Sequence, residues 1–190
     1  MKTRCLWPGA NPLMVRYHDV EWGTPLHDDR RLFEFLILDT FQAGLSWSTI
    51  LNKRINFEKA FSGFDARKIA AYMEADIARL LSDVGIIRNR LKIHAAITNA
   101  QQFLRIKKEY GNFDTYIWQF TKGKTIDNHL TTHDGSPTRS DESDAMSRQL
   151  KKDGFRFVGT TICYAFMQAA GMVNDHTTNC FRYHEIMDGR

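Results

Sequence analysis

The sequence predicts an all-α protein, and three observations predict it. Apolar residues recur at helical spacing over most of the 190 residues, and no run alternates long enough for a substantial sheet. Ser46, Gly85 and Gly171 stand where one helical pattern begins or stops. With 43% hydrophobic and 12% aromatic residues, the chain can also bury a large core.

Residues 28–38 open on acidic side chains and carry Leu32, Phe35, Leu36 and Ile37 on one face. Ser46 then precedes Trp47, Ile50, Leu51 and Ile55, a second helix with a buried face. Short helices over 65–72 and 76–81 lead into 83–90, where Gly85 breaks the pattern. Residues 89–110 predict the longest helix, with Leu91, Ile93, Ala96, Ile97, Ala100, Phe103 and Leu104 inward and Arg90, Lys92, Arg105, Lys107 and Lys108 outward. Thr, Asp, Gly and His dominate residues 121–140, which also hold Pro137; this segment reads as a mobile connection within one unit. Helical patterns resume over 141–152 and 160–170, and Gly171 closes the last of them. There is no internal repeat.

Composition limits the function classes. No apolar run is long enough to span a bilayer, and the start Met-Lys-Thr-Arg-Cys-Leu-Trp lacks an apolar signal core, so a bacterial-type cytosol is expected and a membrane partner is not. Three cysteines do not suit a secreted disulfide framework. A formal charge of +4 permits a polyanionic partner without establishing one.

Four residues at the chain's extremes form a separate signal. Cys5 and His18 form a Cys-x12-His half-site, and His176 and Cys180 form a His-x3-Cys half-site. Two thiolates and two imidazoles would close a tetrahedral, structural Zn2+ site. The other reading is that the histidines are ordinary and the cysteines small buried hydrophobes. Cys163, inside the run Thr161-Ile-Cys-Tyr-Ala-Phe-Met167, is expected only to pack.

Residues 80–93 resemble a helix-hairpin-helix with Gly85 at the turn. Backbone amides at the new helix start would meet a phosphate, with Arg88, Arg90 and Lys92 adding attraction. An ordinary turn with a solvated basic face is the competing reading.

Ordered motifs then carry a specific resemblance. Tyr17-His-Asp-Val-Glu-Trp-Gly23, Gln42-Ala-Gly-Leu-Ser-Trp-Ser48 and Gly154-Phe-Arg-Phe-Val-Gly-Thr-Thr-Ile-Cys-Tyr164, together with Cys5, His18, His176 and Cys180, resemble the DNA-3-methyladenine glycosylase I family from about residue 4 to residue 180. The resemblance implies a two-lobed helix-hairpin-helix glycosylase fold in a single unit. One lobe would span about residues 40–120, and zinc would join the terminal segments into the other. It implies hydrolysis of the bond between 3-methyladenine and deoxyribose in alkylated duplex DNA, with no obligate protein partner. Cys5, His18, His176 and Cys180 match the zinc ligands. Tyr17, Trp22 and Trp47 match the aromatic base pocket, and Gly44 and Leu45 match the loop that approaches the abasic gap. Gly85, Arg88 and Arg90 fall on the DNA-binding hairpin.

Two positions depart from the family pattern. Asp39 stands where the family has glutamate, the proposed catalytic and base-binding carboxylate shortened by one methylene. Met14 stands at a pocket position where the family commonly has tyrosine, offering a thioether without a hydroxyl. These departures leave a changed lesion preference open, as well as a noncatalytic module that binds alkylated or abasic DNA.

Overall fold

The computed structural model describes residues 2–134 and 136–189 and is mostly helical. Among the described residues, ten α-helices run in order: α1 (Pro12–Val20), α2 (Asp29–Gln42), α3 (Trp47–Ala60), α4 (Ala66–Ala70), α5 (Glu74–Ser82), α6 (Arg90–Tyr110), α7 (Phe113–Trp118), α8 (Asp141–Lys152), α9 (Thr160–Ala169) and α10 (Phe181–Met187). Single 3-10 turns follow α3 and α7. Short polar side chains start many of these helices by accepting from otherwise unpaired backbone N–H groups: Asn11, Asp28, Ser46, Asp65, Asn89, Asn112 and Ser140. The sequence pattern misses α1, α7 and α10, which are short and present too few apolar positions for a clear period.

The core centres on α2. Every residue from Phe35 to Phe41 is buried, including Asp39 and Thr40. A helix apolar on all sides is an internal helix, and α2 packs against α3, α6, α7 and α9. Each fully buried Phe or Leu there contributes about 1.5–3 kcal/mol relative to exposure. The helix also runs one turn beyond the expected stop, to Gln42, so Asp39 occupies its last turn.

Within the 121–140 segment, residues 126–130 are tied down at several points. β1 (Ile126–Asp127) pairs in parallel with β2 (Val173–Asn174), Ile126 opposite Val173. Beyond the strand, Thr178 N donates to Leu130 O at 2.7 Å. The segment thus lies against the last third of the chain. Among the described residues, no helix is long and apolar enough to cross a membrane.

On α6 the expected face is rotated at its start. Leu91 is 70% exposed, whereas Lys92 is buried. The ammonium of Lys92 donates to Phe41 O at 2.8 Å and Ala43 O at 2.6 Å, carbonyls left over at the end of α2. A cation satisfying a helix C-terminus explains why lysine goes in and leucine stays out. Lys92 is therefore not available to a phosphate.

Candidate active site and metal centre

A cavity of about 260 Å³ opens between α1, the last turn of α2, the start of α3 and α9. Its walls include Trp7, Met14, Tyr17, Trp22, Asp39, Gln42, Trp47, His133 and Gln168. Ligand sites for drug-sized molecules measure roughly 300–1,000 Å³, so this one suits a single flat ring system. Tyr17 and Trp47 lie 5.1 Å apart between centroids, with Phe35 behind Trp47. On another wall Trp7 meets Trp22 edge-on at 4.9 Å.

Several polar atoms of the residues that line this cavity are unpaired within the protein. Asp39 is 1% exposed, and its Oδ2 has no hydrogen-bond partner; the indole nitrogens of Trp7 and Trp47 and Nε2 of His133 are likewise alone. Burial pushes the Asp39 carboxyl well above the usual carboxylate range, because its charge has left water. Tyr17 is held well above the ordinary phenol range, first by burial and then by Asp39 and Glu21, so it stays a neutral phenol. A wider groove of about 720 Å³ at the other end of α2 runs between Arg30, Arg67, Lys68 and Lys108. Among the described residues it holds no buried unpartnered atom, so the chemistry gathers at the smaller cavity.

Cys5, His18, His176 and Cys180 converge behind the Trp22 wall. All four are buried, and their ligand atoms lie within 4.8 Å of one another, a group that could hold a metal ion. His18 Nδ1 meets Asp19 Oδ1 at 2.8 Å, which turns Nε2 toward the Cys180 sulfur at 3.5 Å. His176 Nε2 meets the Trp22 carbonyl at 3.0 Å, leaving Nδ1 at 3.5 Å from Cys5 Sγ and 3.6 Å from Cys180 Sγ. Each ring thus gives one N–H to an outer acceptor and one lone pair to the cluster, the arrangement that fixes a metal-binding imidazole. Hydrogen bonding between the two sulfurs drives Cys180 down and Cys5 up. Arg4, paired with Asp19 at 2.8 Å, braces the carboxylate behind His18.

This cluster and the cavity share a wall. Trp22 lies 4.6 Å from the His176 ring and stacks on His18 at 6.2 Å. Gly23 is required beside it: its φ is +76°, and an added Cβ would sit 2.9 Å from the His176 ring.

The hairpin residues lie elsewhere. α5 and α6 are joined by a turn in which Asp83 Oδ1 accepts from Gly85 N at 2.7 Å, while Lys53 donates to the carbonyls of Val84 and Gly85. Arg88 and Arg90 are exposed, and Arg90 pairs with Glu74 at 3.1 Å. Gly44 and the 40% exposed Leu45 form the loop after α2, where Gly44 takes φ +77°. Lys92 links these two regions, reaching from the first turn of α6 to the start of that loop.

All the sequence-derived pocket residues, Met14, Tyr17, Trp22, Asp39 and Trp47, line the same cavity, and the four proposed ligands meet. Sequence reasoning missed Trp7, two positions beyond Cys5, and Gln168, one helical turn after Tyr164; proximity to a motif was their only signal. His133 carried none. Asp19 and the carbonyl of Trp22, which orient the imidazoles, were also missed.

A partly open aromatic cavity whose lining residues carry unpaired polar atoms, with a cluster of the two chain ends behind its Trp22 wall, belongs to the class of helical proteins with a site shaped for one flat heteroaromatic ring. Comparison narrows the class to one family. The methyladenine glycosylase family model matches residues 7–183, and the chain belongs to that family. It is 48% identical over 180 residues to DNA-3-methyladenine glycosylase 1 of Escherichia coli, covering 95% of this chain and 96% of the relative. The DNA-3-methyladenine glycosylase of Haemophilus influenzae is 44% identical over 95% of this chain and 97% of its own. A crystal structure of 3-methyladenine DNA glycosylase I superposes with a TM-score of 0.92 at 49% identity, over 94% of this chain and 98% of that one. The Staphylococcus aureus glycosylase, whose structure describes recognition of 3-methyladenine, gives 0.90 at 35% identity, over 94% and 95%.

Proposed function

We propose that this chain is a monofunctional DNA glycosylase that hydrolyses the N-glycosidic bond of 3-methyladenine in alkylated duplex DNA. The observation that carries the reading is the buried, unpartnered carboxyl of Asp39 in an aromatic cavity sized for one base. A carboxylate there is costly without a cation. The N3-alkylated nucleobase is flat and cationic, and it satisfies both the aromatic faces and the carboxylate at once.

The mechanism follows from these groups. Extruding a damaged base costs a few kcal/mol, and the faces of Tyr17 and Trp47 return stacking inside the cavity. A desolvated cation-π contact adds about 2 kcal/mol. Asp39 accepts a hydrogen bond from the base, and the positive charge of the base favours its ionised form. Leu45 fills the vacated apolar gap from the exposed loop. Gly85, Arg88 and Arg90 meet the phosphate backbone, holding register without reading sequence. The alkylated purine is already a good leaving group, since breaking the bond relieves its charge. Water attacks C1′ of an oxocarbenium-like sugar, and surrounding dipoles and DNA phosphates stabilise that charge. No covalent lysine intermediate or lyase step is required.

The metal of the Cys5, His18, His176 and Cys180 cluster is zinc in this reading, with a structural role. Tetrahedral bonds of about 2.0 Å to nitrogen and 2.3 Å to sulfur would place neighbouring nitrogen and sulfur atoms about 3.5 Å apart. The nitrogen-to-sulfur separations of 3.5, 3.5 and 3.6 Å support that fit. Bound there, the ion joins the terminal segments into one lobe and steadies the Trp22 wall; the other lobe spans about residues 40–120. A cytosolic location, at the nucleoid when bound to DNA, suits this reading.

Release of free 3-methyladenine from methylated duplex DNA tests the function directly. Asp39→Glu should be assayed beside the natural chain. Equal rates would show that the shorter carboxylate is already accommodated, and a faster Glu variant would identify a weakened or redirected site. A natural chain that binds abasic DNA and releases no base would refute the catalytic reading.

A further inference from the structure

His133 is the pocket residue that no motif accounts for. It comes from the connection between β1 and α8, held against the last third of the chain by the Ile126–Val173 pairing and the Leu130–Thr178 hydrogen bond. Its ring lies 6.3 Å from Trp22, on the cavity wall. Among the described residues, five buried side-chain polar atoms lack a partner in the protein, and four of them belong to residues that line this one cavity: Trp7 Nε1, Trp47 Nε1, Asp39 Oδ2 and His133 Nε2. Buried polar groups are nearly always paired, so such a concentration marks a surface completed by a ligand.

The four atoms are not equivalent. An indole N–H can only donate, and an ionised carboxylate can only accept. The imidazole nitrogen takes either role according to its tautomer, and the tautomer is set by what holds the other nitrogen. Here Nδ1 lies 3.4 Å from the Ser136 hydroxyl. A serine that donates to Nδ1 leaves the proton on the unpartnered Nε2. Burial lowers the pKa of His133, which favours the neutral ring and spares a cationic base a like-charge neighbour. Met14 brings no hydrogen-bonding group to this wall, and the Gln168 amide is committed to Asp175 at 2.7 Å.

We propose that His133 is a specificity-determining residue of the pocket, donating from its neutral Nε2–H to an unprotonated ring nitrogen of the extruded purine while Asp39 accepts from the exocyclic amine. The inference rests on the glycosylase reading above. An adenine lesion offers an amine beside a ring nitrogen acceptor, matching this acceptor and donor pair. On its N1 edge a guanine lesion offers a carbonyl beside a protonated nitrogen and mismatches both; on its N7 edge it mismatches Asp39 alone.

The test compares His133→Phe, which keeps the ring and removes both nitrogens, with His133→Gln, which keeps a donor. Free 3-methyladenine is titrated against tryptophan fluorescence, and release of 3-methyladenine and 3-methylguanine from methylated DNA is measured alongside. The Phe variant should bind the base about five- to tenfold more weakly, the effect of one lost hydrogen bond. Its preference for the adenine lesion should narrow, while its melting temperature stays that of the natural chain. The Gln variant should remain within about threefold of the natural chain. A natural chain that binds and releases 3-methyladenine beside an equally capable Phe variant overturns the role of His133 alone. A Gln variant as weak as the Phe variant also overturns it. A natural chain that neither binds nor releases the base overturns the pocket reading and this inference with it.

Discussion

Replacing Asp39 by asparagine should make the protein more stable and less active, in opposite directions from one atom. Asp39 is 1% exposed in the last turn of α2, with Oδ2 unpartnered and the negative end of the helix dipole beside it. A buried polar group without a partner costs about 1–3 kcal/mol, and more when charged. Asparagine keeps the shape and removes the charge, so the ligand-free protein should gain about 1–3 kcal/mol at neutral pH. For a chain of this size that is roughly 3–10 °C in melting temperature. The pH dependence gives the sign. The folded pKa of Asp39 is raised above its unfolded value, so its protonated form supports the fold below the unfolded carboxyl pKa, and that support is lost as pH rises through the folded pKa. The advantage of the Asp39→Asn variant should therefore be near zero at about pH 4 and grow toward neutrality. Calorimetric melting across that range measures it, and base release should fall steeply in the same variant. A variant that melts lower than the natural chain at neutral pH, or whose advantage does not change with pH, would refute the argument that Asp39 is an uncompensated buried acid.

Lys92→Met should act the other way, lowering both stability and activity. It leaves the carbonyls of Phe41 and Ala43 without their donor, a loss of about 2–4 kcal/mol; the loop at Gly44 should shift as well, and a displacement near 1 Å can cost about a hundredfold in rate. A variant with unchanged melting and unchanged base release would remove Lys92 from that role. Metal analysis should find one zinc per chain, and chelation or His176→Ala should lower the melting temperature and weaken base binding together, because Trp22 packs on His176. A folded, metal-free protein with full base release would break that link.

Much of this site was legible from residue order. The two cysteines and two histidines of the buried cluster are chemically distinctive, and the aromatic positions sit within dense motifs, so spacing and residue type sufficed to nominate them. Lys92 shows where such reasoning stops. Helical periodicity places it on the outer face of α6 with Arg90, yet the carbonyls that end α2 draw it inward and turn Leu91 out. Those carbonyls belong to a helix end 51 residues away in sequence at Phe41, and no local pattern reports them. Asp39 failed in a milder way: the apolar run around it hinted at burial, but the extra helical turn and the lack of a partner are properties of the packed core.

By itself the sequence determined the helical class and the order of the main helices, and it nominated the four residues of a group that could hold a metal ion and most residues lining the cavity, because these depend on short-range periodicity and side-chain type. Tertiary structure alone decided which nitrogen of each histidine faces the sulfurs, that Trp22 serves both the cluster and the cavity, and that His133 joins the cavity wall near Trp22. Those outcomes depend on where remote faces meet, a consequence of packing the whole chain around α2 that no window of neighbouring residues contains.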